Sequence, residues 1–217
     1  MNAMQEASDI AEERYGIVMR AIVTPIRHFE TRKAKQVAKC AVETHGDWVV
    51  GFGIGGDESS GHFSDFKYAY DMAREAGMHL TAHAGEFAGA QSVLSAMCDL
   101  GVERIGHGVR AIEDMAVVQK LVDRGVVLEV CPGSNIALGL FPGWEEHPIA
   151  RLRDAGVKVT VSTDDPPFFH TTMNDEYNNL AKAFSWGKDV FKEINITAAK
   201  AAFCDETTRK TLLEKLE

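Results

Sequence analysis

The stretch MHLTAHAGEFAGAQSVLSAMCDLG, residues 78–101, joins a short apolar strand to a helix and decides the fold. Residues 78–82 form the apolar run, and the helical pattern that follows ends at Gly101. One face of that helix is marked by Ala90, Val93, Leu94 and Met97. His83 and Glu86 stand between the two elements, and packing alone rarely needs such a pair. The stretch therefore predicts a strand–helix unit that carries chemistry at its junction.

The same unit recurs along the chain. Further apolar runs that favour strands lie at residues 17–23, 48–54, 102–106, 126–131 and 157–162. Glycines expected to end the intervening helices are Gly77, Gly101, Gly125 and Gly156. We expect Ser64 to cap the helix that ends near Gly77, and Pro148 to occupy the first turn of another. Units repeated about every 25–30 residues predict parallel strands joined by right-handed crossovers.

Two α/β architectures fit this alternation. One is an open doubly wound sheet, and the other is a (β/α)8 TIM-type barrel. The sequence has about six β/α units, whereas a closed barrel has eight and usually needs about 250 residues. With 217 residues and no evident linker or internal repeat, the chain is predicted to form a single domain over residues 1–217.

Composition and charge exclude several classes of function. Hydrophobic residues make up 45% and charged residues 25%, and the formal net charge is −9. Because basic residues do not cluster, we expect neither nucleic acid nor a membrane surface as a partner. The apolar runs are too short to span a bilayer, the first residues show no secretory signal pattern, and the four cysteines lack CxxC spacing. These features predict a cytoplasmic protein with reduced thiols.

A polar cluster follows each predicted strand. The clusters are TPIRH (24–28), GGDE (55–58), HAGE (83–86), GHG (106–108), CPGSN (131–135) and TDDP (163–166). Turn chemistry accounts for Gly, Pro, Asn and Asp in any single cluster, but turns need neither histidine nor paired carboxylates. Barrel enzymes assemble their active sites from the carboxyl ends of several strands, which is the distribution seen in this sequence.

Five of these polar residues are candidates for metal-assisted hydrolysis. A lone histidine such as His83 is more often structural, and Glu86 near a helix start can serve the helix dipole alone. His107 lies between two glycines, however, and the adjacent Asp164 and Asp165 favour a cation or a proton-transfer role. Histidine and aspartate ligands beside a non-ligating glutamate are typical of hydrolytic zinc sites. The same nitrogen and oxygen donors also permit iron or manganese.

The glycines of GFGIGG offer an alternative, a nucleotide cofactor bound on an open sheet. Gly51, Gly53 and Gly56 formally match G-x-G-x-x-G after a strand. Asp57 and Glu58 follow directly, which places negative charge where a pyrophosphate would bind. The next helical pattern begins only near Ser64, so no helix N-terminus is expected to meet these glycines.

The motifs TAHAGE, RIGHG, CPGSN and STDDP, in this order and together with GGDE, resemble the adenosine deaminase family of metal-dependent hydrolase barrels. The resemblance covers almost the whole chain. It implies an incomplete TIM-type barrel of about six β/α units, and a zinc-dependent hydrolase that deaminates adenosine or 2′-deoxyadenosine to inosine and ammonia. Adenine deaminases share much of the pattern, so adenine is the alternative substrate.

The resemblance also implies a role for each matched residue. His83 and Asp164 are expected to bind zinc, and Glu86 to shuttle the proton that reaches purine N1. His107 is expected to orient the attacking water and to stabilise developing negative charge.

Two further positions are implied to bind the substrate. Asp165 is expected to form a hydrogen bond with purine N7, and the backbone of Gly56 to meet N3. The expected partner is a purine nucleoside.

One element of the family pattern has no counterpart in this sequence. The family has an H-x-H pair on its first strand that supplies two more zinc ligands, and none of the eight histidines here are two positions apart. His79 and His83 are separated by about 13 Å along a strand and cannot chelate one ion. The chain thus resembles the C-terminal two-thirds of a deaminase. We expect either self-association through exposed barrel edges or poor stability of the chain alone. A non-catalytic remnant is the competing hypothesis for function.

Overall fold

Within residues 2–217, which the computed structural model describes, six strands form one parallel sheet in the order β1-β2-β3-β4-β5-β6. The strands are β1 (Ala21–Val23), β2 (Val49–Phe52), β3 (His79–Ala84), β4 (Arg104–His107), β5 (Val127–Val130) and β6 (Lys158–Val161). Each strand pairs with the next one along the chain, as His83 does with Gly106 and Leu128 with Val159. A doubly wound sheet reverses its strand order at a switch point, and this sheet does not. The sheet therefore has the strand progression of a barrel.

Helices follow the strands in alternation. They are α1 (Asn2–Tyr15), α2 (Thr31–Glu43), α3 (Lys67–Glu75), α4 (Gly89–Ser95), α5 (Met115–Arg124), α6 (Pro132–Ala137), α7 (Ile149–Asp154), α8 (Pro166–Phe169), α9 (Met173–Phe184), α10 (Lys188–Ala201) and α11 (Glu206–Glu214). Short 3₁₀ segments span Phe63–Phe66 and Val109–Glu113, and a π-helical turn, Ala96–Leu100, extends α4.

Helix α5 shows how the local sequence sets these elements. The Asp114 side chain accepts a hydrogen bond from the N–H of Ala116, which caps the first turn. Gly125 ends the helix with φ 65°, a left-handed conformation that glycine adopts without steric cost. Val118 and Leu121, three residues apart on one face, are buried, whereas Met115 in the first turn is 60% exposed.

The alternation of strands and helices is confirmed, and the differences lie at element ends. Of the predicted strand at 17–23, only the last three residues pair in the sheet. Ser64 lies inside the 3₁₀ segment and does not cap α3, because Phe63 and Phe66 turn inwards on either side of it. Pro148 immediately precedes α7 instead of occupying its first turn. Among residues 2–217, no helix is both long and apolar enough to cross a membrane.

Candidate active site

The carboxyl ends of β3 to β6 bring four polar segments to one edge of the sheet. His83 is the penultimate residue of β3, and His107 is the last residue of β4. Cys131 directly follows β5, and Asp164 follows β6, which ends at Val161. Because parallel strands place their carboxyl ends at the same edge, residues up to 81 positions apart in sequence meet there.

Glu86 contacts both histidines of this cluster. Its Oε2 lies 3.7 Å from His83 Nε2, and its Oε1 lies 3.3 Å from His107 Nδ1. The two imidazole rings meet edge to face, with their centroids 4.9 Å apart. Asp164 joins from the last strand, with Oδ2 3.8 Å from His107 Nε2. The structure thus brings together the predicted metal-binding and catalytic residues, with both His83 and Asp164 beside His107.

Two of these side chains stand on backbone in the left-handed region. His107 has φ 62° and Asp164 has φ 59°, which is uncommon for residues other than glycine. Such conformations cost about 1–3 kcal/mol each and persist where the surrounding structure holds them. At both positions the strand has just ended, and the left-handed residue turns its side chain into the shared cluster.

A buried carboxylate fixes the segment that carries Glu86. Glu58, which follows β2, accepts hydrogen bonds from the backbone N–H groups of residues 85, 86, 87 and 88 and from the Ser92 hydroxyl. Burial opposes ionisation of Glu58, but the hydrogen bonds from Phe87, Ala88 and Ser92 outweigh it and lower its pKa. Glu58 therefore holds the loop between β3 and α4 as a charged group.

Helix α6 supplies two further contacts. The Ser134 hydroxyl donates to Asp164 Oδ2 at 2.7 Å. Asn135 Nδ2 donates to Glu86 Oε1 at 2.8 Å and lies 3.3 Å from His107 Nδ1. His147 Nε2 lies 3.1 Å from Asn135 Oδ1 on the opposite side of the amide. These three side chains, Ser134, Asn135 and His147, are almost completely buried, so the polar groups behind the cluster are shielded from solvent.

Burial shifts the pKa values of the carboxyl group and the imidazoles of the cluster in opposite directions. Burial, followed by the negative charges of Asp164 and Glu58, raises the pKa of Glu86 to about 7. Burial, assisted by the neighbouring His83, lowers the pKa of His107 to about 3. The pKa of His83 is also lowered, chiefly by burial. Near neutral pH the site combines neutral imidazoles with a carboxyl group that can hold or release a proton, the pairing used in general acid–base catalysis.

The donor atoms of the cluster suit a transition-metal ion. Within residues 2–217, two groups place their ligand atoms within 4.8 Å of one another: His83, Glu86 and His107, and His107, Cys131 and Asp164. Burial raises the pKa of the Cys131 thiol far above neutrality, so without a metal ion this sulfur carries a proton. The imidazole nitrogens and carboxylate oxygens of these groups are donors that zinc accepts.

The two predicted substrate-binding positions lie at the same edge but outside the hydrogen-bonded cluster. Gly56 has φ 96°, and a Cβ there would meet His28 Nδ1 and Ile26 Cγ2 at 2.9 Å, so a glycine is required. Asp165 is exposed and precedes the short helix α8. In the part of the chain that the structure describes, no hydrogen bond joins either residue to Glu86 or His107.

The glycines of GFGIGG meet no helix N-terminus. Helix α3 begins only at Lys67, after the 3₁₀ segment, and the Asp57 carboxylate accepts hydrogen bonds from Ser59 and Ser60 within its own turn. Gly51 and Gly53 pack instead against Ile22, Thr24 and Thr81 inside the sheet. This geometry does not favour a dinucleotide.

Five buried polar residues in and around the site were assigned no role from the sequence. They are Glu58, Ser134, Asn135, His147 and Glu176. Three of them lie in motifs that had been singled out, GGDE and CPGSN, but nothing local distinguishes them from turn residues. Glu176 resembles an exposed helix residue, yet it accepts hydrogen bonds from the Gly133 N–H and the Thr171 hydroxyl and so ties α9 to α6.

Parallel strands in barrel order, with histidines and carboxylates converging at their carboxyl ends, are the arrangement typical of α/β-barrel hydrolases that bind a metal ion. The family model described as adenosine deaminase matches residues 1–217. The chain therefore belongs to the adenosine deaminase family.

One named protein and two solved structures show what the chain is similar to in more detail. The chain is 49% identical over 206 residues to an adenine deaminase of Rhizobium leguminosarum, covering 95% of this chain and 64% of that protein. The structure of an adenine deaminase from Arthrobacter aurescens matches with a TM-score of 0.93 and 30% identity, over 99% of this chain and 65% of that one. A zinc-bound amidohydrolase from Burkholderia ambifaria matches with a TM-score of 0.88 and 25% identity, over 99% and 63%. The chain spans about two-thirds of each relative, so its fold is an incomplete TIM-type barrel.

Proposed function

We propose that this chain forms the larger part of a zinc-dependent deaminase of 6-aminopurines, with adenine as the substrate. The observation that carries the proposal is the convergence of His83, Glu86, His107 and Asp164 at the carboxyl edge of the sheet. The sequence-based expectation was adenosine, with adenine as the alternative. The relatives' names support adenine instead. Deamination forms a C6–O bond from water and breaks the C6–N bond, so ammonia leaves and the 6-oxopurine remains.

His83 and Asp164 would hold the zinc ion together with ligands that this sequence does not supply. When bound, zinc supplies Lewis acidity that makes a water molecule nucleophilic at neutral pH. Glu86, whose pKa lies at about 7, delivers a proton to purine N1 and assists departure of the amino group. His107 is neutral at this pH and orients the attacking water.

The substrate contacts in this proposal come from the resemblance. Asp165 would form a hydrogen bond with purine N7, and the Gly56 backbone would approach N3. Both residues stand at the strand edge that carries the acid–base cluster, and the absence of a side chain at Gly56 allows a planar base to approach the backbone closely.

Zinc binding tests the metal part of the proposal on the 217-residue chain itself. We expect zinc to bind, and His83→Ala and Asp164→Ala each to weaken binding at least tenfold, because each removes one ligand. Asp165→Ala is the matched control, since it removes the adjacent carboxylate. Equal zinc binding by all four proteins would contradict the assignment.

Ammonia release tests the substrate. Adenine, adenosine and 2′-deoxyadenosine are compared at equal concentration with zinc present. Faster release from adenine supports the proposal, and faster release from adenosine supports the alternative substrate. Zinc bound through His83 without any ammonia release would favour the non-catalytic hypothesis.

A further inference from the structure

Asn135 and His147 form a buried hydrogen-bonded pair behind the candidate active site. Asn135 is 0% exposed and His147 is 1% exposed. The His147 ring meets Phe141 edge to face, with ring centroids 5.0 Å apart. His147 lies far from Glu86 in sequence, and among residues 2–217 the hydrogen bonds of Asn135 link the two side chains.

The tautomer of His147 follows from its neighbours. The backbone N–H of Ile149 donates to His147 Nδ1 at 3.2 Å, so that nitrogen carries no proton. Burial, assisted by Arg151, lowers the pKa of His147 to about 3, which keeps the ring neutral. The single ring proton is therefore on Nε2, which donates to Asn135 Oδ1 at 3.1 Å.

The orientation of the Asn135 amide follows from the same proton. With Oδ1 directed at His147, Nδ2 is directed at Glu86 Oε1, 2.8 Å away, and at His107 Nδ1, 3.3 Å away. If the amide were turned over, Oδ1 would face the Glu86 carboxylate, and the Nδ2 protons would face the His147 Nε2 proton. The contact with His147 would then be repulsive at any pH at which the ring is neutral, and the contact with Glu86 would be repulsive whenever that carboxyl group is ionised.

We propose that His147 is a positioning residue. The Ile149 N–H fixes its tautomer, and this tautomer keeps the Asn135 N–H groups directed at Glu86 and His107. One consequence concerns the two oxygens of Glu86. Oε1 is occupied by Asn135, so Oε2 is fixed on the side of His83, 3.7 Å from His83 Nε2, in the orientation that the proposed catalytic role requires. Only this last, catalytic consequence rests on the proposed function.

Two replacements of similar size separate positioning from packing. In His147→Gln, the new side chain can accept from the Ile149 N–H and donate to Asn135 Oδ1, as the imidazole does. In His147→Leu it can do neither, while the volume against Phe141 stays similar. The readout is the side-chain amide of Asn135 in ¹H–¹⁵N spectra of the 217-residue chain, together with the ring ¹⁵N shifts of His147.

We expect two resolved, slowly exchanging Asn135 amide protons in the wild type and in His147→Gln. In His147→Leu, exchange should become about tenfold faster, since one net hydrogen bond shifts an equilibrium by roughly that factor. Equal protection in His147→Leu would overturn the proposal, as would a proton on His147 Nδ1 in the wild type. The ring ¹⁵N shifts of His147 are measured on the wild type, so they test its tautomer even if His147→Leu does not fold.

Kinetics distinguish this proposal from the proposed function. In deamination, His147→Leu should lower kcat at nearly unchanged KM, because His147 touches no substrate, and His147→Gln should restore kcat. No deamination by the wild type, with the Asn135 amide protected, would remove the proposed function and leave the positioning role intact. Unchanged kcat in His147→Leu would remove the catalytic consequence.

Discussion

At the scale of single residues, Glu86 is the side chain on which acid–base chemistry depends. Its carboxyl group is buried among other acids, which raises its pKa to about 7. Glu86→Gln keeps the shape and can still accept a hydrogen bond from Asn135, but it cannot transfer a proton. We expect zinc binding to persist and kcat for deamination to fall roughly 10²–10⁴-fold. Zinc analysis and ammonia release on the same samples measure both.

The matched control for this variant is Glu113→Gln. Glu113 is an exposed carboxylate that pairs with Arg110 in the 3₁₀ segment after β4. Its replacement removes the same charge close to the site without touching the cluster, so deamination should stay unchanged. Full activity in Glu86→Gln would take Glu86 out of the mechanism.

His147 gives a prediction for stability against pH. Its pKa in the folded chain is about 3, below the value of 6.5 for an unperturbed imidazole. As pH falls below 6.5 the unfolded chain gains a proton there and the folded chain does not, so stability is lost between pH 6.5 and 3. His147→Gln removes this loss. When the pH is lowered from 7.5 to 5, the free energy of unfolding of His147→Gln should therefore rise relative to that of the wild type by about 2 kcal/mol.

Urea unfolding at the two pH values measures this difference. The control is His45→Gln, which replaces a histidine that solvent reaches in the folded chain. An unchanged pH dependence of stability in His147→Gln would mean that the folded chain accommodates a protonated His147.

At the scale of elements, the loop between β3 and α4 depends on a carboxylate from the neighbouring strand. Glu58 accepts four backbone N–H groups and one hydroxyl. Glu58→Gln would put an amide NH₂ against some of these donors, and a buried donor left unpaired costs about 1–3 kcal/mol. We expect the free energy of unfolding to fall by about 2–3 kcal/mol. Amide hydrogen exchange of residues 85–88 should become faster.

Asp57→Asn is the control at the adjacent position. Asp57 is exposed, and among the described residues its carboxylate accepts hydrogen bonds from Ser59 and Ser60 in its own turn. We expect little change in the exchange of residues 85–88 in this variant. If Asp57→Asn and Glu58→Gln behaved alike, the effect would come from lost charge and not from the hydrogen bonds to the loop.

Element types could be predicted from the sequence because their signals are local. Gly101, Gly125 and Gly156 follow helices in the left-handed conformation that the pattern requires. Glu58 could not be assigned a role, because its partners lie 27–34 residues away and a carboxylate after a strand looks like any turn residue. Ser64 was assigned wrongly as a cap because burial of Phe63 and Phe66 overrides the local capping preference.

At the scale of the whole molecule, the order and direction of the strands bring the residues of the candidate site together. His83, His107 and Asp164 could be predicted to converge once parallel strands were inferred, since each stands at a carboxyl end. The count of about six units also matches the structure. The contacts of Asn135, in α6, and His147, just before α7, could not be predicted, because no local periodicity relates two residues of different elements.

An open barrel leaves unpaired strand edges. Within residues 2–217, β1 and β6 each pair on one side only. Just before β1, the side chains of Ile17 and Met19 are 52% and 42% exposed. Unpaired N–H and C=O groups beside exposed apolar side chains favour association with another chain. We therefore expect the 217-residue chain to self-associate as its concentration rises, measured by sedimentation velocity.

Charge placed beside the β1 edge should weaken this association. In the double variant Ile17→Lys and Met19→Lys, like charges would meet whenever two β1 edges approach, so the sedimentation coefficient should depend less on concentration. Met115→Lys is the control: it also replaces an exposed apolar side chain with lysine, but on α5, between two strands paired on both sides. Identical behaviour of the two variants would place the contact away from β1. A wild type that stays monomeric and unfolds cooperatively at every concentration would show that the open edges are protected within the chain itself.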